Sequence, residues 1–154
     1  VADNGTHAIA PTLYGAKLPY DVFKDFTPVT LAASFPTVII IHPSVPAQNA
    51  QEFVALAKAQ PGKLSYASAG TGTLAHLAGE LFKARAGIEV THVSYRGTAQ
   101  STIDLMQGRI DLSVSTIPPT LQHILEGKLQ ALAVMSEATA TGPTASVMLV
   151  PNNA

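Results

Sequence analysis

Between residues 37 and 135, short apolar runs alternate with longer amphipathic runs along the chain. Five runs rich in β-branched and apolar residues predict strands, at residues 37–42, 63–68, 89–95, 109–115 and 129–135. Four runs with apolar positions at helical spacing predict helices between them, at residues 49–60, 74–86, 98–108 and 118–127. Such alternation is typical of the α/β class, in which helices flank an open, mainly parallel sheet.

Helical spacing also predicts which residues share a helix face. The first helix has an apolar face formed by Ala50, Phe53, Leu56 and Ala57. The second helix places five residues on one face, namely Leu74, Leu77, Ala78, Leu81 and Arg85. We expect Gly87 to cap the end of the second helix, Thr98 to cap the start of the third, and Gly108 to end it.

The two ends of the chain lack this regular pattern. Residues 1–36 contain four prolines and scattered aromatic residues, with one short helix predicted within residues 6–15. Residues 137–154 are small and polar, with one candidate strand at residues 147–150. We therefore expect these ends to belong to a lobe other than the central one.

Composition narrows the class of protein. Of 154 residues, 47% are hydrophobic and 12% are charged, which predicts a well-buried core. The net charge of −1 and the lack of basic runs argue against a nucleic-acid binder. No apolar run approaches the length of about 20 residues that spans a bilayer. The absence of cysteine excludes disulfides, Cys-ligated zinc and thiol nucleophiles.

A small, polar turn joins the second predicted strand to the second predicted helix. Its sequence is "SAGTGT" (68–73). Ligands of open α/β sheets bind where strands end beside helix N-termini, whose free amides and dipole favour anions. Gly70 and Gly72 permit close backbone approach, and Ser68, Thr71 and Thr73 offer hydroxyls. The turn predicts an anion site; an ordinary strand-to-helix turn with its N-cap is the alternative.

Two further strand ends carry similar residues. After the third strand, Tyr95 can form an amphipathic wall of a site, Arg96 can supply a positive charge, and Gly97 allows a ligand to approach the backbone closely. A solvated arginine in a loop is an equal alternative for Arg96. After the fourth strand, Ser115 and Thr116 offer hydroxyls, which either face a ligand or cap the following helix.

Catalytic and metal-binding patterns are weak. Ser68 and His76 suggest a nucleophile and a base, but there is no Gly-x-Ser-x-Gly motif and no acid placed to orient the histidine. Glu80 follows His76 by one helical turn, which favours a local contact over a metal site. Asp104 and Asp111 fall in different elements. We therefore predict no enzyme activity, no metal and no cofactor.

Five segments taken together resemble one known family. They are "NGTHAIAPTLY" (4–14), "LPYDVFKDFTPVTLAA" (18–33), "LAKAQPGKLSYASAGTGTLAHLAGELF" (56–82), "VSYRGTAQSTIDLMQGRID" (93–111) and "GKLQALAVMS" (127–136). The combination is similar to the receptors of tripartite tricarboxylate transporters, the Bug/TctC-type periplasmic solute-binding proteins.

The resemblance implies a two-lobed, Venus-flytrap receptor of the type II periplasmic-binding-protein class. Such receptors bind small carboxylates or amino-acid-like solutes between their lobes and deliver them to a membrane permease. The resemblance implies one lip of the cleft at residues 68–73, including Ala69, and a contribution from Asn4, Thr6 and His7 of the other lobe. Family members usually carry lysine at Arg96, and the position of Ser115 tunes ligand choice.

The chain also departs from the family pattern. Family members are longer, and their first strand with its Gly/Pro-rich loop has no counterpart here. We therefore expect a fragment: residues 1–32 from an incomplete first lobe, 33–132 as the second lobe, and 133–154 returning to the first. Weak ligand binding and dimerisation or strand exchange are then expected. The first residues lack a signal-peptide pattern, so the expected periplasmic location rests on the resemblance.

Two other functions stay open on sequence grounds. The same fold serves as an extracytoplasmic sensor for a signalling kinase, and genes neighbouring the receptor would distinguish a permease from a kinase. A Ser-dependent hydrolase using Ser68 or His76 is the third hypothesis, which a substrate screen with a Ser68→Ala control would test.

Overall fold

The computed structural model describes residues 3, 5–30, 36–136 and 146–149. Its strands are β1 (Thr37–Ile41), β2 (Ser65–Ser68), β3 (Thr91–Ser94), β4 (Leu112–Thr116), β5 (Gln130–Ser136) and β6 (Ser146–Leu149). Its α-helices are α1 (Ala10–Tyr14), α2 (Ala50–Ala59), α3 (Leu74–Ala86), α4 (Thr98–Met106) and α5 (Ile117–Leu125). The α/β class and the predicted order of elements are confirmed.

The strands form one mixed sheet in the order β3-β2-β4-β1-β5-β6. β2 pairs in parallel with β3 and β4, whereas β1 is antiparallel to both β4 and β5, and β6 is antiparallel to β5. Four strands, β2 to β5, therefore run in one direction, but three of the five strand pairs are antiparallel, so the sheet is mixed rather than mainly parallel as predicted. β1 runs against them, which a buried apolar run does not reveal because its pattern has no direction.

Helices cover both faces of the sheet. Along β1, Ile39 and Ile41 point into a core shared with Phe53 of α2, while Val38 and Ile40 point into a second core shared with Leu105 of α4. Successive side chains of a strand face opposite sides, so a fully apolar β1 is what a strand buried on both faces requires. Residues 36–136 are called the sheet lobe below.

Helix α2 begins and packs as its sequence predicts. The side chain of Asn49 accepts a hydrogen bond from the Glu52 amide and so caps the first turn. Ala50, Phe53 and Ala57 are buried against the sheet, and Leu56 is partly buried beside them.

Helix α3 packs through a different face from that marked by its leucines. Leu74, Leu77 and Leu81 are 39–44% exposed, whereas Gly79 and Phe82 are buried. A Cβ at Gly79 would lie 2.5 Å from Tyr66 Cε2, so the glycine admits the tyrosine ring. Gly87 caps the helix in the left-handed conformation, as predicted (φ 61°).

Two helix starts differ from the sequence interpretation. Thr98 is the first residue of α4, and Gly97 occupies the N-cap position, so the predicted Thr98 cap is wrong. Thr116 occupies the N-cap position of α5, but its side chain makes no capping hydrogen bond. Pro118 and Pro119 lie in the first turn of α5, where the missing amide hydrogens are not needed.

Residues 5–30, called the N-terminal segment below, form mostly short turns. A π-helical turn (Gly5–Ile9) precedes α1, and a 3₁₀ turn (Gly15–Lys17) follows it. His7 lies 4.7 Å from Phe26 and 6.0 Å from Tyr20, measured between ring centroids. None of the helices in the described ranges has the length and apolar character needed to cross a bilayer. The predicted division into lobes stays a prediction.

Candidate functional site

A cavity of about 570 Å³ lies at the carboxyl ends of β2 and β4, between the sheet lobe and the N-terminal segment. This end of the sheet is called the sheet edge below. β2 and β4 end at this edge because they are parallel, and β1 begins there because Thr37 pairs with Thr116 in antiparallel register. The lining residues are Asp3, Gly5, Thr6, Ala10, Tyr14, Leu18, Tyr20, Thr37, Ala69, Thr71, Gly72, Thr73, Leu74, Ala75, Thr98, Val114, Ser115 and Thr116.

The predicted site residues divide into three groups. Those that line the cavity are Thr6, Ala69, Thr71, Gly72, Thr73 and Ser115. Those that lie outside its lining are His7, Ser68, Gly70, Tyr95, Arg96 and Gly97. Asn4 falls outside the described residues. Their roles in binding stay predictions.

Free amides near Gly70 and Gly72 are the physical basis for the anion site expected at the turn 70–73, and that expectation is wrong. Each of these amides donates a hydrogen bond within the fold: Gly70 to Ser68 Oγ (3.3 Å), Thr71 to Ser94 Oγ (3.2 Å), Gly72 to His76 Nδ1 (3.2 Å) and Thr73 to the Gly70 carbonyl (3.3 Å). The turn has enough side-chain acceptors around it to satisfy its own backbone.

The first turn of α3 supplies the free donors instead. Thr73 is its N-cap, and Thr73 Oγ1 accepts from the His76 amide (3.3 Å). For the amides of Leu74 and Ala75, the structure gives no acceptor among the described residues, and both residues line the cavity. A helix N-terminus leaves such amides unpaired, and the dipole of a 13-residue helix makes the position favourable for negative charge.

Ser115 places a second unsatisfied group at the same cavity. The residue is 5% exposed, and within the described structure its Oγ has no hydrogen-bond partner. Ser113, two residues earlier on β4, is equally buried but donates to the Ala67 carbonyl (3.3 Å). Buried hydroxyls are normally paired, so the unpaired Ser115 Oγ is an exception, and the atom is itself shielded from the open space of the cavity.

The lining of the cavity contains one acidic residue and no basic residue. The acidic residue is Asp3. Hydrogen bonds from the backbone and side chain of Thr6 hold the pKa of the Asp3 carboxyl below its ordinary value, so it stays ionised at neutral pH. An anion in this cavity would therefore meet dipoles and hydroxyls, and one repelling carboxylate.

The residues after β3 are engaged elsewhere. The Tyr95 hydroxyl donates to Asp104 Oδ2 (2.8 Å), and burial together with that hydrogen bond raises the pKa of Tyr95. Asp104 also pairs with Arg109 (3.1 Å). Arg96 is exposed.

The geometry does not support the hydrolase hypothesis. Ser68 is fully buried, and its Oγ lies 2.7 Å from Nε2 of His92 rather than against His76. Glu80 accepts from the Tyr66 hydroxyl (2.6 Å) and pairs with Lys83 (2.9 Å), so it orients neither imidazole by a hydrogen bond. In the described ranges, no cluster of three or more histidine and acidic residues is arranged to hold a metal ion.

Sequence reasoning missed several lining residues. Thr37 faces the cavity because β1 is antiparallel, which the sequence pattern does not show. Thr98 follows β3 at the start of α4, and the strand-end rule that selected Tyr95 could have found it. Tyr14 and Leu18 come from the N-terminal segment, whose irregular pattern gives no orientation.

A family model for "Tripartite tricarboxylate transporter family receptor" matches residues 1–147. Among curated relatives, a UPF0065 protein encoded in a tcbD–tcbE intergenic region of Pseudomonas sp. is 38% identical over 133 residues, covering 86% of this chain and 40% of that protein. BugT of Bordetella pertussis is 32% identical, with 86% of this chain and 42% of BugT covered. The chain thus spans about two fifths of the length of these relatives.

Solved structures of similar proteins share the fold of this chain and are likewise matched over less than half of their length. An R. palustris protein solved with adipate superposes with a TM-score of 0.81 at 32% identity, covering 87% of this chain and 44% of that one. MatC from Rhodopseudomonas palustris, solved with bound malate, gives a TM-score of 0.77 at 28% identity, covering 86% and 45%. The matched proteins are periplasmic solute-binding proteins rather than enzymes. The family match, the shared fold and the cavity at the sheet edge agree, and the chain belongs to the tripartite tricarboxylate transporter receptor family.

Proposed function

We propose that this chain is the ligand-binding part of a periplasmic receptor that takes up a small dicarboxylate and delivers it to a tripartite tricarboxylate transporter permease. The family supports the receptor role, and the adipate and malate of the two solved relatives support a dicarboxylate. The cavity volume of about 570 Å³ is in the range typical of small-molecule sites.

One observation carries the proposal: among the described residues, two amides without an acceptor border the cavity, and one unpaired hydroxyl lies buried in its wall. The amides of Leu74 and Ala75 are hydrogen-bond donors at the positive end of the α3 dipole, which suits a carboxylate. The Ser115 hydroxyl donates to a ligand oxygen or accepts from a ligand group, and in either case gains the partner that the described residues do not supply.

Six of the other predicted site residues enter the proposal with different roles. Thr71 and the backbone of Gly72 form the wall of the cavity beside α3, and Thr6 contributes from the N-terminal segment. We place Arg96 at the rim, where its charge approaches the bound anion when two lobes close around it. The neighbouring Tyr95 and Gly97 shape that rim.

Energetics predict weak binding by this chain alone. A helix N-terminus contributes about 0.3–1 kcal/mol to an anion, and up to about 2 kcal/mol when partly buried. A micromolar receptor needs about 8 kcal/mol in total. The ionised Asp3 subtracts from the favourable terms. We therefore expect dissociation constants for dicarboxylates in the millimolar range.

The test compares two serines of β4 that are equally buried. Backbone amide spectra of the chain are recorded during titration with adipate, and with 1,6-hexanediol as the uncharged analogue of the same length. Adipate is expected to shift the Leu74 and Ala75 amide signals, and hexanediol is not. Ser115→Ala is expected to weaken the adipate effect several-fold, because it removes a donor.

Ser113→Ala is the matched control. Its hydroxyl already bonds Ala67, so the substitution should cost about 1 kcal/mol of stability while leaving adipate binding unchanged. Ser115→Ala should leave stability unchanged or slightly raised, since it removes an unpaired buried hydroxyl. Equal adipate shifts in both variants, or no shifts at Leu74 and Ala75 in the wild type, would refute the proposed site.

Partners and organisation complete the proposal. The family supports the proposed periplasmic location and the proposed permease partner, which cell fractionation and co-purification test. Residues 33–132 are proposed as the second lobe, with 1–32 and 133–154 belonging to the first. Dimerisation or strand exchange stays a prediction from the sequence.

A further inference from the structure

Behind the turn that lines the cavity lies a stack of aromatic rings that the proposed ligand site does not use. His76 of α3 packs on His92 of β3 with 4.4 Å between ring centroids, and His92 stacks on Tyr66 of β2 at 4.7 Å. The stack therefore connects the sheet to the turn 70–73 through three different elements.

We infer that His76 is a positioning residue, whose imidazole holds the turn 70–73 in place by accepting the Gly72 amide and so sets where Thr71 and Thr73 meet the ligand. The inference rests on the proposed function for its consequence in binding. It goes beyond that function because His76 does not line the cavity itself.

The contact has a defined chemistry. The Gly72 amide donates to His76 Nδ1 at 3.2 Å, which requires that Nδ1 carry a lone pair and no proton. Gly72 adopts φ +82°, and a Cβ at this position would overlap the Leu13 side chain. Gly72 therefore has two neighbours that restrict the turn. Leu13 of α1 packs on one side of it, and His76 accepts its amide on the other.

The imidazole is itself held in orientation. His92 supports its ring face, and Ser68 Oγ fixes His92 through Nε2 (2.7 Å). The Tyr66 hydroxyl, at the far end of the stack, donates to Glu80 at 2.6 Å. A side chain with so few free rotations presents its acceptor to Gly72 at little cost in conformational entropy.

Protonation provides a way to switch the contact off. A proton on Nδ1 would oppose the Gly72 amide hydrogen and break the bond. Among the described residues, the groups that face His76 are His92 from β3, Tyr66 from β2 and Glu80 from α3 itself. Lys83 lies farther along α3, where it pairs with Glu80 and lies over the Tyr66 ring. Burial and the charge at His76 lower the pKa of His92, so the two stacked rings do not readily carry a proton together.

The test follows the Gly72 amide in the whole chain. Its protection from hydrogen exchange and its chemical shift are measured against pH, together with the ring signals of His76. We expect the exchange protection and the chemical shift of the Gly72 amide to differ between neutral and acidic pH, because a proton on Nδ1 removes the acceptor. His76→Leu should lower the protection about tenfold at neutral pH because the acceptor is gone. His76→Asn should restore it without a titration, since Asn Oδ1 occupies the position of Nδ1.

His42→Leu is the matched control, because His42 Nδ1 accepts the Ser44 amide at the same distance, 3.2 Å, in a loop away from the cavity. Unchanged Gly72 protection in His76→Leu, or a loss that His76→Asn does not restore, would overturn the inference. Adipate is the binding probe: its effect on Leu74 and Ala75 should weaken about tenfold in His76→Leu and persist in His76→Asn and His42→Leu. If adipate does not shift the Leu74 and Ala75 signals of the wild-type protein, the ligand proposal fails. The protection of the Gly72 amide then still decides the role of His76.

Discussion

The sheet lobe and the N-terminal segment bury their side chains to very different extents. In the lobe, the four residues Val38–Ile41 are at most 1% exposed, and Phe53 is fully buried against them. In the segment, Ala10 is the one hydrophobic residue below 9% exposure among those described, while Phe23 and Val29 are more than 90% exposed. The lobe has a core of its own, and the segment has a small aromatic cluster and a contact with the lobe.

The difference shows how the candidate site is built. The lobe contributes fixed groups: the first turn of α3 and Ser115 on β4. The segment contributes Thr6, Tyr14 and Leu18 from elements that are three to five residues long or irregular. The wall from the lobe rests on a buried core and the wall from the segment does not, so we expect the segment to open locally at a lower free energy than the lobe.

Replacing a phenylalanine by alanine in each region should give the largest difference in unfolding free energy between the two regions. Phe53→Ala removes a fully buried ring from the lobe core and should cost about 3–5 kcal/mol of unfolding free energy. Phe23→Ala removes a ring that is 94% exposed and should change it by less than about 0.5 kcal/mol. Urea denaturation followed by circular dichroism measures both. Similar losses would mean that the segment is part of the main core, contrary to the comparison.

Two glycines test the contact between the regions. Gly72 and Gly87 both have positive φ, so alanine strains the backbone at each position by about 1–2 kcal/mol. At Gly87 the added Cβ meets open space, whereas at Gly72 it overlaps Leu13 of α1. Gly72→Ala should therefore cost more than Gly87→Ala, but by no more than about 1 kcal/mol, because Leu13 is 48% exposed and the end of its side chain can move aside.

The location of that extra cost can be measured directly. Hydrogen exchange should rise across α1 in Gly72→Ala and stay unchanged there in Gly87→Ala, because Leu13 must move away from the turn. Leu13→Ala combined with Gly72→Ala should remove the excess cost. Equal exchange in α1 for both glycine variants would show that the segment does not depend on this contact.

Sequence pattern predicted the helices well and the sheet less completely. Helix α3 was predicted at residues 74–86 and observed as Leu74–Ala86, because its turn residues at both ends are strong local signals. The direction of β1 was not predictable, since "TVIII" reads the same in a parallel or an antiparallel strand buried on both faces. The buried face of α3 was not predictable either, because it depends on Tyr66 of β2 fitting against Gly79.

The candidate site shows the same limit. Strand-end reasoning led to the correct edge of the sheet for Thr71, Gly72 and Ser115, which line the cavity. It could not tell which amides stay free, because Ser94 and His76, the acceptors for the turn, come from a different strand and from the next helix turn. Hydrogen-bond satisfaction is a property of the assembled fold and not of a local segment.

Lowering the pH should affect the stability of the two regions differently, although by less than the substitutions above. Burial first, and then the charge at His76, lower the pKa of His92 below its ordinary value of 6.5. Below pH 6.5 the unfolded chain therefore binds a proton that the folded lobe resists, and stability falls as the pH drops. In the N-terminal region, hydrogen bonds from Thr6 lower the pKa of Asp3 below 3.8, so its contribution is present above that pH and is lost only below it.

Thermal melts at pH 7.5, 6.0 and 5.0 test these two windows. The wild-type melting temperature should fall across this range, and His92→Gln should flatten the fall, because glutamine keeps a hydrogen-bonding partner for Ser68 but does not titrate. Asp3→Asn should keep the wild-type slope, since the Asp3 carboxyl stays ionised throughout. A wild-type slope in His92→Gln would show that groups other than His92 carry the acid sensitivity. A flattened slope in Asp3→Asn would place part of it at Asp3, and either result would contradict its assignment to His92.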